Sequence, residues 1–204
     1  MNHLHPEFDN NLTIQQQIGD RPFVLNVSDN LPRKQLDILL ETYARLRYHH
    51  PELLLVRVGP EWEPEMQARI ERLGIRYGIR LFSQLEQQDL VELYQRAAIV
   101  LITSESESLD LPLVCRHVAV VSDVPVLQEV EENTVVYCRI DKPDVWANTI
   151  TRLLHHLEAA LGLSLRLNSG KKSSWSSHPE NITQLNNHYK FLPHESTAYN
   201  QFAW

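Results

Sequence analysis

Ile99–Pro112, IVLITSESESLDLP, is the stretch that decides the fold. Its opening, Ile99 to Thr103, is apolar or β-branched without interruption, which suits a strand covered on both faces. The run stops in Ser104-Glu105-Ser106-Glu107-Ser108, small polar residues carrying two carboxylates. Leu109-Asp110-Leu111-Pro112 then turns the chain. In an open parallel sheet, ligands bind just past the carboxyl ends of strands. A carboxylate in that place can accept hydrogen bonds from sugar or ribose hydroxyls. The plain alternative is a solvated loop with helix-capping serines, so the flanking segments have to decide between the two.

Upstream, Gln87–Ala98 sets Leu90, Leu93, Tyr94 and Ala97 at helical spacing and delivers the chain into the strand at Ile99. Ile79–Phe82 reads as a brief strand. Glu65–Leu73 is a short amphipathic helix with Met66, Ile70 and Leu73 on one face, ended by Gly74. Leu53–Val58 is a strand broken by Gly59-Pro60, and Phe23–Val27 is another, followed by the turn Ser28–Pro32. A helix is expected from near Arg33 to His49, since Leu36, Leu39, Leu40 and Tyr43 share a face and Pro51 disfavours helix before it. Downstream, Leu113–His117 is too short for a helix of normal length. Val118–Val121 and Thr134–Cys138 are strand-like, and Val126–Val130 suggests one helical turn. Asp144–His156 reads as a helix capped by Asp144, with His155 and His156 placed to suit the dipole at its end. Strands alternating with helices give an α/β fold, a Rossmann-like doubly wound parallel sheet. The expected division is a linker or disordered tail over 1–20, the α/β domain over 21–165, and a helical or irregular tail over 166–204.

The net charge of -7 argues against a general nucleic-acid binder. No run approaches the ~18 apolar residues of a membrane span, and the polar start has no secretory pattern, so a cytoplasmic protein is expected. Cys115 and Cys138 form no CxxC, and His3 and His5 lack a framework of further ligands, so no metal site is expected. No G-x-G-x-x-G follows the first strand and no G-x-S-x-G occurs, which leaves a conventional dinucleotide site and a hydrolase elbow unsupported. Arg33 and Lys34, expected in the first helical turn, sit at the wrong end for the helix dipole. A bound phosphate would compensate them; two solvated surface cations are the alternative.

The order of motifs resembles the C-terminal domain of the group 1 family of retaining GT-B glycosyltransferases. VLNVSDNLPRKQLDILLETYARL is similar to that domain's opening strand, turn, Pro-Arg-Lys and amphipathic helix. LLLVRVGP is similar to its next strand, and IRLFSQLEQQDLVELYQRAAIVLITSESES to its run of strand, turn, helix and strand. LDLPL stands where the family writes GFGLP, VAVVSDVPVLQEV resembles its later strand and turn, and KKSSWSSHPENI resembles its last segment. The match is collinear from Arg21 to Thr183. It implies one half of a GT-B fold and transfer of a glycosyl group from a nucleotide-sugar with retention. It implies no cofactor beyond the nucleotide-sugar, which is the donor substrate. The lysine of Pro-Arg-Lys, here Lys34, would contact the donor diphosphate; Arg33 is a candidate phosphate contact from its charge and place beside it. The first glutamate of the family's pair, here Glu107, would touch the donor sugar. Cationic stabilisation of a diphosphate leaving group is sound chemistry.

Departures from the pattern are specific. Ser28-Asp29 replaces Gly-Arg, Ser108-Leu109-Asp110 replaces Gly-Phe-Gly, and Cys115 takes the place of the second glutamate. No certain catalytic residue is assigned. The family's N-terminal, acceptor-binding half has no counterpart in the sequence, so a separate chain supplying it is an expected partner and the isolated chain is expected to be inactive. The alternatives are a non-catalytic remnant or nucleotide-binding module without transfer, and a flavodoxin-like signalling domain using the strand-end aspartates Asp29 or Asp123.

Overall fold

The computed structural model describes residues 13–83, 85–105, 118–125 and 135–161. The elements run α1 Ile14–Ile18, β1 Phe23–Val27, α2 Leu36–His49, β2 Leu54–Val58, α3 Pro64–Leu73, β3 Ile79–Phe82 and α4 Gln87–Arg96. They continue with β4 Ile99–Ile102, β5 Ala119–Ser122, β6 Val135–Cys138 and α5 Pro143–Leu161. The strands form one sheet in the order β3-β2-β1-β4-β5-β6. Each pairing is parallel, so the expected doubly wound α/β sheet is present.

The unbroken apolar runs follow from cover on both faces. Val24, Leu55, Ile99 and Leu101 point into a core with α2, α3 and α5, around the fully buried Trp146. Phe23, Leu25, Leu54, Val56 and Val100 point the other way, onto α1 and α4. Alternation within each strand splits one apolar run between two cores. The α3 helix stops at Gly74, whose φ of 66° a side chain would strain.

Several boundaries differ from the sequence reading. Within the stretch expected as a linker or tail over 1–20, of which residues 1–12 lie outside the described residues, Ile14–Ile18 form α1, where Thr13 and Gln16 make a capping box and Ile14 and Ile18 are buried. The helix expected from Arg33 starts at Leu36. Pro32–Lys34 is instead a separate 3-10 turn, and Gln35, at φ 50°, breaks the path between the two. Arg33 and Lys34 therefore precede α2 rather than occupy its first turn. Asp144 lies inside the first turn of α5 rather than capping it, and its carboxylate pairs with Arg45. Because α5 runs on to Leu161, His155 lies inside the helix, its ring centre 5.8 Å from that of His50. The one turn expected at Val126–Val130 lies outside the described residues.

Candidate functional site

Chain connections leave β1 toward β2 and β3 on one side and serve β4, β5 and β6 on the other, so the order reverses between β1 and β4. The carboxyl ends of two strands beside such a reversal form a crevice. Here the ladder itself parts. β1 and β4 pair only at Val24–Ile99 and Leu25–Val100. The next residue, Asn26, is buried and donates its side-chain amide to the Leu101 carbonyl at 3.0 Å. Its side-chain oxygen accepts from the Ser28 hydroxyl at 2.7 Å.

The turn carrying the two cations is fastened to the end of β4. The Glu105 amide donates to the Arg33 carbonyl at 2.8 Å. The Thr103 hydroxyl donates to the Lys34 carbonyl at 2.7 Å, and the Gln35 amide group to the Glu105 carboxylate at 2.6 Å. Gln35 is the single non-glycine residue with positive φ among the described residues. Such a conformation costs of order 1 kcal/mol and persists where surroundings hold it; these bonds are what hold it. Lys34 is 7% exposed, so it is not a solvated surface cation. Arg33 is more open and pairs with Asp29 at 3.5 Å. Asp29 also accepts from the Leu31 amide at 3.0 Å, closing the turn. Asp29 thus ties the loop after β1 to the cation turn.

On the far side of β1 stands a residue the sequence reading passed over. Arg57, in β2, is fully buried. Its guanidinium donates to the Ser28 carbonyl at 3.2 Å, the Asp29 carbonyl at 3.4 Å, the Asn30 side-chain oxygen at 2.6 Å and the Pro60 carbonyl at 2.6 Å. Its central carbon lies 4.2 Å from the centre of the Trp62 ring, a cation–π contact. Burial pushes its pKa down to about 10, against the pull of Asp29 and Glu61. Asn30 returns a bond to the Glu61 carbonyl at 2.7 Å. A charge in the middle of LLLVRV was the available signal, since a buried strand admits one only with partners. Gly59 permits the arrangement: a Cβ there would lie 2.0 Å from the Ser28 carbonyl oxygen.

Arg33 and Lys34 are therefore brought together at the crevice. Glu107 lies outside the described residues, as do Asp110 and Cys115. Glu105 is the carboxylate described at the end of β4. Among the described residues no group of His, Cys, Asp and Glu is placed to hold a metal ion, and no helix is long and apolar enough to cross a membrane. The two cations on the turn bonded to the end of β4 suit an anionic ligand, while the buried hydroxyls of Thr103 and Ser122 donate to the Lys34 and Ile102 carbonyls.

Comparison with known proteins bears on the family and the fold. The family model described as "Glycosyl transferases group 1" matches residues 8–164. No curated protein matches in sequence. Among solved structures, HepE from Anabaena in complex with UDP superimposes with a TM-score of 0.59 at 19% identity, over 71% of this chain and 42% of that one. A UDP-forming α,α-trehalose-phosphate synthase from Burkholderia xenovorans gives 0.57 at 15% identity, over 69% and 38%. A trehalose-6-phosphate structure from E. coli bound with UDP-2-fluoro glucose gives 0.55 at 14% identity, over 69% and 38%. At these identities the likeness is one of fold, and the chain spans less than half the length of each.

Proposed function

Since the chain belongs to the glycosyl transferases group 1 family, we propose that residues 21–165 are a donor-binding domain for a nucleotide-sugar. The donor lies in the crevice between β1 and β4, its diphosphate against the Pro32–Gln35 turn. Lys34 and Arg33 meet the diphosphate charge, and Glu107 meets the sugar hydroxyls. The observation that carries this reading is the fastening of the cation turn to the end of β4 through Arg33, Lys34 and Gln35. A turn held from both sides offers cations to a ligand without first having to order them, which is where preorganised charge acts best.

Transfer then proceeds with retention once an acceptor-binding wall faces this crevice, supplied by another chain or by a further segment of a longer one. Holding both substrates in register is what such a step requires. The reaction needs no cofactor beyond the donor, and its setting is the cytoplasm. The solved relatives bound with UDP or a UDP-sugar make uridine nucleotides the first ligands to try.

Thermal unfolding of the chain with and without UDP, GDP and ADP tests the reading. A ligand at ~100 times its dissociation constant adds ~2.7 kcal/mol to the folded state. A rise in the midpoint with one nucleotide is the expected result. A cooperative transition that none of the three moves would sink the donor-binding reading and leave a scaffold without transfer.

A further inference from the structure

Arg57 is an expensive residue to keep. It is fully buried in a strand paired on both sides, with its Nε hydrogen unsatisfied and the Trp62 indole N–H beside it unsatisfied as well. An apolar side chain of similar length would fill the same space without the desolvation cost. What the guanidinium does uniquely is join two loops. Its donors reach Ser28, Asp29 and Asn30 in the loop after β1 and Pro60 in the loop after β2. From there the connection runs on: the Asp29 carboxylate, on the residue whose carbonyl Arg57 holds, pairs with Arg33 and takes the Leu31 amide. The planar fork of arginine can meet several acceptors at once, which a lysine ammonium on a flexible stem does less well.

We infer that Arg57 is a positioning residue for diphosphate binding: it fixes the Ser28–Asn30 loop so that Arg33 and Lys34 are presented to the crevice at the end of β1. Arg57 touches no ligand itself. This rests on the donor-binding reading above and adds to it a residue on the neighbouring strand. Asn30 belongs to the same device, since it takes an Arg57 hydrogen bond and gives one to Glu61. A merely structural Arg57 would weaken every part of the ligand alike. A positioning Arg57 acts on the phosphates and spares the base.

The test compares UDP with uridine, and GDP and ADP with their nucleosides, on the wild-type chain, Arg57→Met and Asn30→Ala. Affinities come from ligand-observed NMR, with a urea titration of each variant alongside. Asn30 is partly exposed and its variant keeps the buried core intact, so it serves if Arg57→Met does not fold. The diphosphate is expected to bind about tenfold more weakly in either variant, the order of one charge-assisted hydrogen bond lost when Arg33 or Lys34 is displaced, with the nucleoside unchanged. Parallel losses for diphosphate and nucleoside, or diphosphate affinity unchanged in Asn30→Ala, would overturn the inference while the donor-binding reading stood. A wild-type chain that binds none of the three diphosphates would overturn both.

Discussion

The two sides of the crevice are built by different means. On the β1–β2–β3 side the strands pair in long register, five positions between β1 and β2 and four between β2 and β3. The loops after β1 and β2 are gathered by one buried guanidinium. On the β4–β5–β6 side β4 and β5 pair over three positions and β5 and β6 over four. Their ends are tied by hydroxyls: Thr103 to the Lys34 carbonyl at 2.7 Å and Ser122 to the Ile102 carbonyl at 3.3 Å. A charged fork joins several carbonyls at once and fixes a loop's shape; a hydroxyl joins one. The comparison teaches that the cation turn takes its shape from the first side and its place from the second.

The largest blow to this arrangement falls on its cover rather than its loops. Trp146 on α5 is fully buried and donates its indole N–H to the Arg139 carbonyl at 2.9 Å. Trp146→Ala should cost about 3–5 kcal/mol, read from urea unfolding. A single cooperative transition in that variant would show that the two sides fold as one; two transitions would break the comparison in favour of separate units. Next comes Gly59→Ala, which forces its new methyl against the Ser28 carbonyl. It should cost about 2 kcal/mol or more in the same assay, and a neutral result would show that the β1 loop is not held where the contacts put it.

Lys34→Ala sharpens the comparison at the crevice itself. UDP affinity, followed by calorimetry, should fall about tenfold, near 1.4 kcal/mol. An unchanged affinity would remove Lys34 from the diphosphate site. The smallest effect is remote from the crevice. The Tyr43 phenol lies against the Leu53 and Gly78 carbonyls at 2.9 and 2.8 Å, and burial raises its pKa above 10.0. The unfolded chain gives up this proton near pH 10 while the folded one holds it, so stability falls as pH rises through that value. Tyr43→Phe should cost about 1 kcal/mol at neutral pH and flatten the alkaline decline. A decline of the same size in the variant would assign it to another group.

The sheet was legible because its strands are buried on both faces, and an apolar run such as FVLNV or IVLI has few other uses. Phe23–Val27 and Ile79–Phe82 are strands with the bounds their sequences suggest. The start of α2 was not legible. Arg33, Lys34 and Gln35 are good helix formers behind a proline, which reads as a helix start. What unwinds them is tertiary: Thr103, Glu105 and the Asp29 turn draw their carbonyls and side chains elsewhere. The α1 helix had a local signal, the Thr13-x-x-Gln16 capping box with Ile14 and Ile18 four apart, hidden in an otherwise polar segment. Of the candidate site, Arg33 and Lys34 stood out as cations expected in the first turn of α2, but the structure puts them before it, on a turn bonded to the end of β4. Arg57 was not found, because a single charge in a strand names no partners until the loops that surround it are placed.

The proposed donor site puts a diphosphate at the turn between β1 and α2, against the end of β4. Backbone amide shifts of isotope-labelled chain, followed during a titration with UDP, test it most directly. The largest changes are expected at Leu31, at residues 33–35 and at residues 103–105, with the α5 amides unmoved. Changes centred elsewhere, or no saturable change at all, would contradict it.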